Sequence, residues 1–170
     1  MAEPASAPRW APLVTLPLAV AGLALSTYLT YVHYIEPTSL SCPDTGVINC
    51  TKVTTSPESM LFGHLPVALA GALYFLAMAV LTLPALWRSQ RRTWSAARLA
   101  GVVAGVGMVC YLVYVEAVVV HALCLYCTAV HAVMFLLFVA VVTALLLPPT
   151  PNIDPSRQVP SKPETARAKW

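Results

Sequence analysis

Residues 99–147 read LAGVVAGVGMVCYLVYVEAVVVHALCLYCTAVHAVMFLLFVAVVTALLL, and Glu116 is the single charged side chain in the stretch. An apolar helix crosses a hydrocarbon core about 30 Å thick in roughly 20 residues. The stretch is about twice that long, so it should fold back on itself. The expected turn lies near Val120 to Ala122, giving one span over 99–119 and another over 122–147. Backbone amides in lipid must be satisfied within the segment, so both spans are expected to be helices.

Two further uncharged runs lie upstream, Ala11 to Ile35 and His64 to Trp87. Each is long enough for one crossing. Composition agrees: 58% of the 170 residues are hydrophobic and 10% are charged, against about 25% charged in an average soluble domain. The expected fold is an all-α integral membrane protein, a four-helix bundle with spans at 11–35, 64–87, 99–119 and 122–147. A long extracytoplasmic loop would join the first two. The first run is read as a retained span rather than a signal peptide, being longer than a signal core and lacking an obvious small-residue cleavage pattern before Glu36.

Short loops rich in Lys and Arg stay cytoplasmic. Arg88, Arg91, Arg92 and Arg98 crowd the connection between spans two and three; Arg9 lies at one terminus and Arg157, Lys162, Arg167 and Lys169 at the other. Residues 1–10, the middle connection and a tail at 148–170 are therefore expected inside. The tail is rich in Pro, Ser and charge and is expected to be disordered. The segment from Glu36 to Gly63, with Glu36, Asp44 and Glu58 against Lys52, suits the outer face. The net charge of +3 is thus a topology signal, not a nucleic-acid footprint.

Cys42 and Cys50 fall in that outer loop, and Cys124-Leu125-Tyr126-Cys127 opens the fourth span on the same side. Disulfides form and persist in oxidising compartments. A Cys-x-x-Cys at a helix start favours thiolate and allows a disulfide to open and close, which points to redox chemistry over two structural bridges. His121, Cys124, Cys127 and His131 recur at helical spacing and carry zinc or copper ligand chemistry. One straight helix cannot close a tetrahedron from them, so no metal is expected. Cys110 is read as a small buried hydrophobe.

These motifs resemble the vitamin K epoxide reductase family: Cys42 and Cys50 with seven residues between, Ser56 six residues after Cys50, Phe62-Gly63 before span two, and Cys124-x-x-Cys127 at span four. The motifs cover 42–131, and the helix plan extends the likeness over most of 11–147. The resemblance implies that Cys127 faces a quinone, of menaquinone or ubiquinone type, that Cys124 exchanges disulfides with Cys50, and that Cys42 receives electrons through a Cys42–Cys50 disulfide. Ser56 would shape the loop above the quinone. Many prokaryotic relatives carry a fused thioredoxin-like domain, so the implied thiol donor here is a separate extracytoplasmic thioredoxin-like oxidase. The enzyme would then support disulfide formation from an inner or plasma membrane.

Members that reduce vitamin K epoxide place an Asn near the start of span two and a Tyr four residues after the second cysteine. Val67 and His131 stand at those places here, which favours a plain quinone over the epoxide. His131, one turn below Cys127, is a candidate to hydrogen-bond a quinone oxygen or carry a proton. Glu116 and His121 are read as interfacial, and Tyr28, Tyr31 and Tyr34 as packing or belt residues. The alternatives are a metal-binding membrane protein and a purely structural helical bundle.

Overall fold

The computed structural model describes residues 8–35, 40, 42, 45–61, 63–89 and 91–147. The expectations for residues 1–7, Glu36, Asp44, Phe62 and the tail at 148–170 lie outside them.

The first helix, α1 (Trp10–Ile35), buries Ala11, Thr15, Ala19, Gly22, Ser26, Leu29 and Val32. These recur every three or four residues and are mostly small, the pattern that lets helix backbones approach closely where no hydrophobic force acts between helices in lipid. A Cβ at Gly22 would overlap the Phe75 ring. That close approach belongs to the interface with α3 (Val67–Leu81), the most extensive helix pairing in the fold. The next most extensive pairing joins α1 to α6 (Leu125–Leu146).

Between α1 and α3 the chain forms a short helix α2 (Cys50–Thr54), a 3-10 turn at Pro57–Ser59, and a hairpin of β1 (Met60–Leu61) and β2 (Leu65–Pro66). Gly63 sits at φ 73° in that hairpin, a left-handed conformation that glycine adopts without steric cost.

Where one span over 64–87 is expected, the helix is in two pieces. Thr82 caps α3 through the Met78 carbonyl, and α4 (Pro84–Arg88) starts afresh. Pro84 has no amide proton, and the residue before a proline is pushed to extended backbone; Leu83 has ψ 140°. The freed Leu81 carbonyl accepts a hydrogen bond from Arg98 Nε at 2.7 Å. Arg98 also lies 4.0 Å from the Trp87 ring centroid and is 2% exposed. It is therefore not a loop residue: α5 (Arg92–Tyr114) already begins at Arg92 and carries Arg98 on its buried face.

A π-helical turn at Val115–Val120 continues α5, and His121 at φ 51° ends it. Among the described residues three helices are long and apolar enough to cross a membrane: Trp10–Ile35, Arg92–Val120 and Leu125–Leu146. At 15 residues α3 is apolar but shorter. The described residues are thus a mostly helical protein of membrane character.

Candidate active site

The site begins with a backbone bridge. Leu123 N–H donates to the Val47 carbonyl at 2.8 Å, and Asn49 N–H donates to the Leu123 carbonyl at 3.1 Å. Ile48 and Leu123 pair as a single parallel bridge. Asn49 then caps α2, its side-chain oxygen accepting from Lys52 N–H at 2.8 Å, which stabilises the helix start on which Cys50 sits. The residues that follow the two bridged segments are Cys50 and Cys124, both buried in one apolar cluster with Leu29, Val32 and Val53. Cys42 and Cys127 pack against that cluster. The four cysteines singled out in the sequence therefore meet.

Cys42 and Cys50 form a disulfide, with Cα atoms 5.9 Å apart, the pairing the family resemblance implies. Cys124 and Cys127 are free thiols. The loop pair is thus oxidised and the helix pair reduced.

Cys124 is the N-cap of α6, and its sulfur accepts from Cys127 N–H at 3.4 Å. A helix N-terminus favours negative charge. The Cys124 thiol is held below the ordinary thiol range, first by the Cys127 side-chain hydrogen bond; burial opposes the shift, and the Cys127 backbone amide adds to it. The Cys124 carbonyl accepts from the Thr128 amide and hydroxyl at 2.9 and 3.0 Å, fixing the first turn of α6.

Below the thiols lies a cavity of about 370 Å³, within the range of small-molecule sites. Its walls are mainly apolar and come from α1, α3, α5 and α6, with the 3-10 turn and Ser56 among the lining. Cys127 lines it, and so do Ser56, Val67 and His131, the three residues expected at the substrate. Ser56 Oγ donates to the Val53 carbonyl at 2.9 Å, tying the segment after α2 to that short helix. His33 also lines the cavity and lies 3.2 Å from the Thr54 carbonyl through Nδ1. Gly105 keeps its wall thin, because a Cβ there would crowd Tyr74 Oη and the Met134 thioether.

Glu116 departs from the sequence reading. It is 5% exposed rather than interfacial, lines the cavity, and its carboxylate meets the Cys124 backbone amide and the Cys127 thiol. The reason is the π turn: an extra residue in the turn re-phases the helix, and the Glu116 carbonyl takes amide protons from His121 and Ala122 (3.1 Å for Ala122). The signal was present in the sequence, since an ionisable residue inside an apolar span is a functional candidate by default. Cys110 departs in the opposite sense and is exposed on the outside of α5. His121 is exposed at the end of the π turn. Among the described residues no group of three or more His, Cys, Asp or Glu side chains is placed to hold a metal ion.

Fold and site together define a helical membrane protein in which a Cys-x-x-Cys, packed in one cluster with a disulfide-bonded second cysteine pair, opens onto an apolar cavity. The chain matches the profile of the vitamin K epoxide reductase family over residues 13–142, and it belongs to that family. No curated protein matches it at a significant level. Membership makes it a membrane oxidoreductase, and the family's enzymes act on quinones.

Proposed function

We propose that this protein is a thiol:quinone oxidoreductase that draws electrons from a separate extracytoplasmic thioredoxin-like protein and delivers them to a membrane quinone. Electrons enter at Cys42, pass from Cys50 to Cys124, and leave through Cys127. The observation that carries the reading is the division of labour in the Cys-x-x-Cys: Cys127 lines the cavity while Cys124 is buried beside Cys50.

Each transfer is thiol–disulfide exchange, in which a thiolate attacks a disulfide sulfur in line. Cys50 thiolate attacks Cys124 of an oxidised Cys124–Cys127 pair and frees Cys127; Cys42 then closes on Cys50. That leaves the redox state seen here. In the last step the dithiol passes two electrons to a quinone of menaquinone or ubiquinone type, with Ser56, Val67 and His131 around the ring. Val67 offers no hydrogen bond where epoxide-reducing relatives have an amide, so a plain quinone is the substrate.

Four crossings complete the reading, with α3 and α4 together making the second. Both termini and the connection between α4 and α5 lie in the cytoplasm, and the cysteines face the opposite side of an inner or plasma membrane. The physiological output is reoxidation of a thiol oxidase that forms disulfides in exported proteins.

The deciding experiment mixes the purified protein in lipid nanodiscs with a reduced thioredoxin-like protein and a ubiquinone or menaquinone analogue. Quinol should form in proportion to thiol consumed. Thiol loss without quinol would sink the proposal.

A further inference from the structure

Among the cavity's titratable groups that the cysteine relay does not use, one meets the Cys-x-x-Cys directly. Glu116 is nearly completely buried, lines the cavity from the π turn after α5, and meets the Cys127 thiol and the Cys124 backbone amide. A carboxyl in an apolar setting is costly unless it is hydrogen-bonded, and these partners are the reacting pair itself.

From this contact we infer that Glu116 is a catalytic residue, the proton carrier between the Cys124/Cys127 dithiol and the bound quinone. The inference rests on the thiol:quinone reading above. It answers a chemical need that the cysteines leave open. Thiolates, not thiols, are the nucleophiles, and Cys127 faces an apolar cavity in which a neighbouring side chain must take its proton.

The step balances as follows. Two S–H bonds break, one S–S bond forms between Cys124 and Cys127, and two electrons pass to the quinone. Two O–H bonds form on the quinol. Glu116 carboxylate accepts the Cys127 proton and returns it to a quinone oxygen; vacated, it takes the Cys124 proton and delivers that in turn. The carboxylate ends as it began, as a catalyst must.

Other titratable groups share this surrounding: Cys124, Cys127 and His131 from α6, Tyr74 from α3, His33 from α1 and Glu58 from the 3-10 turn. Of these residues, the Glu116 side chain meets Cys127 through its thiol and Cys124 through its backbone amide. His131 lines the same cavity and is the alternative carrier.

The test is single-turnover oxidation of the full-length, fully reduced protein in nanodiscs by a short-chain ubiquinone analogue, comparing wild type with Glu116→Gln, Glu116→Asp and His131→Gln. Positioned acid–base groups contribute about 100-fold or more in rate. Glu116→Gln should slow quinol formation by at least that factor and regain rate as the pH rises and solvent base replaces the carboxylate. Glu116→Asp should restore a large part of the rate. Reduction of the Cys42–Cys50 disulfide by a soluble dithiol should be the same in all four proteins, which also reports that they are folded. Glu116→Gln turnover within twofold of wild type, or a loss confined to His131→Gln, would overturn the assignment while leaving the parent reading intact. A wild-type protein that accepts electrons from the dithiol and makes no quinol would overturn the parent reading and this assignment with it.

Discussion

Leu123 donates its amide proton to the Val47 carbonyl at 2.8 Å, and this contact joins two segments whose next cysteines belong to different cysteine pairs. Cys50 follows Val47 by three residues and Cys124 follows Leu123 by one. The bridge uses backbone groups and engages neither sulfur.

If Cys42 is the port for a protein thiol, Cys42→Ala should cut turnover with a reduced thioredoxin-like protein by tenfold or more, on the order of 1.4 kcal/mol in barrier. Turnover with a small membrane-permeant dithiol should change much less, because such a reagent reaches Cys124 and Cys127 directly. Steady-state quinol formation with the two reductants checks this. Equal losses would make Cys42 structural.

The roles of the other pair separate by spectroscopy. Cys127 lines the cavity, so in Cys124→Ala it keeps its access to the quinone and has no partner to close the disulfide. A thiolate–quinone charge-transfer band should accumulate under mildly alkaline conditions, which favour thiolate. Cys127→Ala should give none. A band in Cys127→Ala alone would reverse the two assignments.

Cys124 should also betray its hydrogen bond in its pH profile. Because the Cys127 hydrogen bond lowers its pKa, the thiolate persists to lower pH than in a free cysteine, and its attack rate falls only as pH drops through that lower value. In the reduced wild type, the rate of attack on a small permeant disulfide should reach half its maximum below pH about 8.5, the ordinary thiol value. Cys127→Ala removes the largest cause, and the midpoint should move upward. An unmoved midpoint would mean that the helix end, not Cys127, sets the value.

Arg98 holds the break in the second apolar segment, donating to the Leu81 carbonyl and lying over Trp87. Arg98→Leu should lower unfolding free energy in mixed micelles by about 2 kcal/mol, the usual scale for a hydrogen bond from a charged group. Arg98→Lys should recover only part of it, because an ammonium does not reproduce the stacked, planar guanidinium. Wild-type stability in Arg98→Leu would show that the clasp contributes nothing.

Orientation is open to a direct measurement. Reporter fusions after Arg92 and at the C-terminus should both report cytoplasm, following the basic residues at Arg88, Arg91 and Arg92. An extracytoplasmic signal at either would invert the topology.

Much of this was legible in the chain. Uncharged runs marked α1 and α6, and the length of the 99–147 run, which had to turn back near Val120 to Ala122, put Cys124 at a helix start. Pro84 marked the break in the second segment, yet the run 64–87 read as continuous because its apolarity does not falter there. What did not come through was rotation. A helix apolar on every side gives no periodicity from which to choose a face, so Cys110 reads as buried by default and lies outward. Glu116 was placed by its distance from the span end, and the π turn that carries it into the cavity leaves no mark in a pattern counted at 3.6 residues per turn.

The short α3 has a mechanical consequence for the lipid around it. Fifteen residues rise about 22 Å at 1.5 Å per residue, less than a hydrocarbon core of about 30 Å. On this flank the crossing proposed for α3 and α4 is jointed at Thr82 and Leu83: their amides close α3 onto the Met78 and Val80 carbonyls, and Pro84 has none to continue the ladder. A rigid rod meets a thicker or thinner bilayer by tilting or by deforming its neighbours, at fractions of a kcal/mol per Å. A crossing made of two pieces could also bend at the joint, but Arg98, bonded to the Leu81 carbonyl on one side and stacked on Trp87 on the other, limits that bend, so the lipid on this flank meets a crossing whose reach is set by a side-chain clasp rather than by a continuous helix.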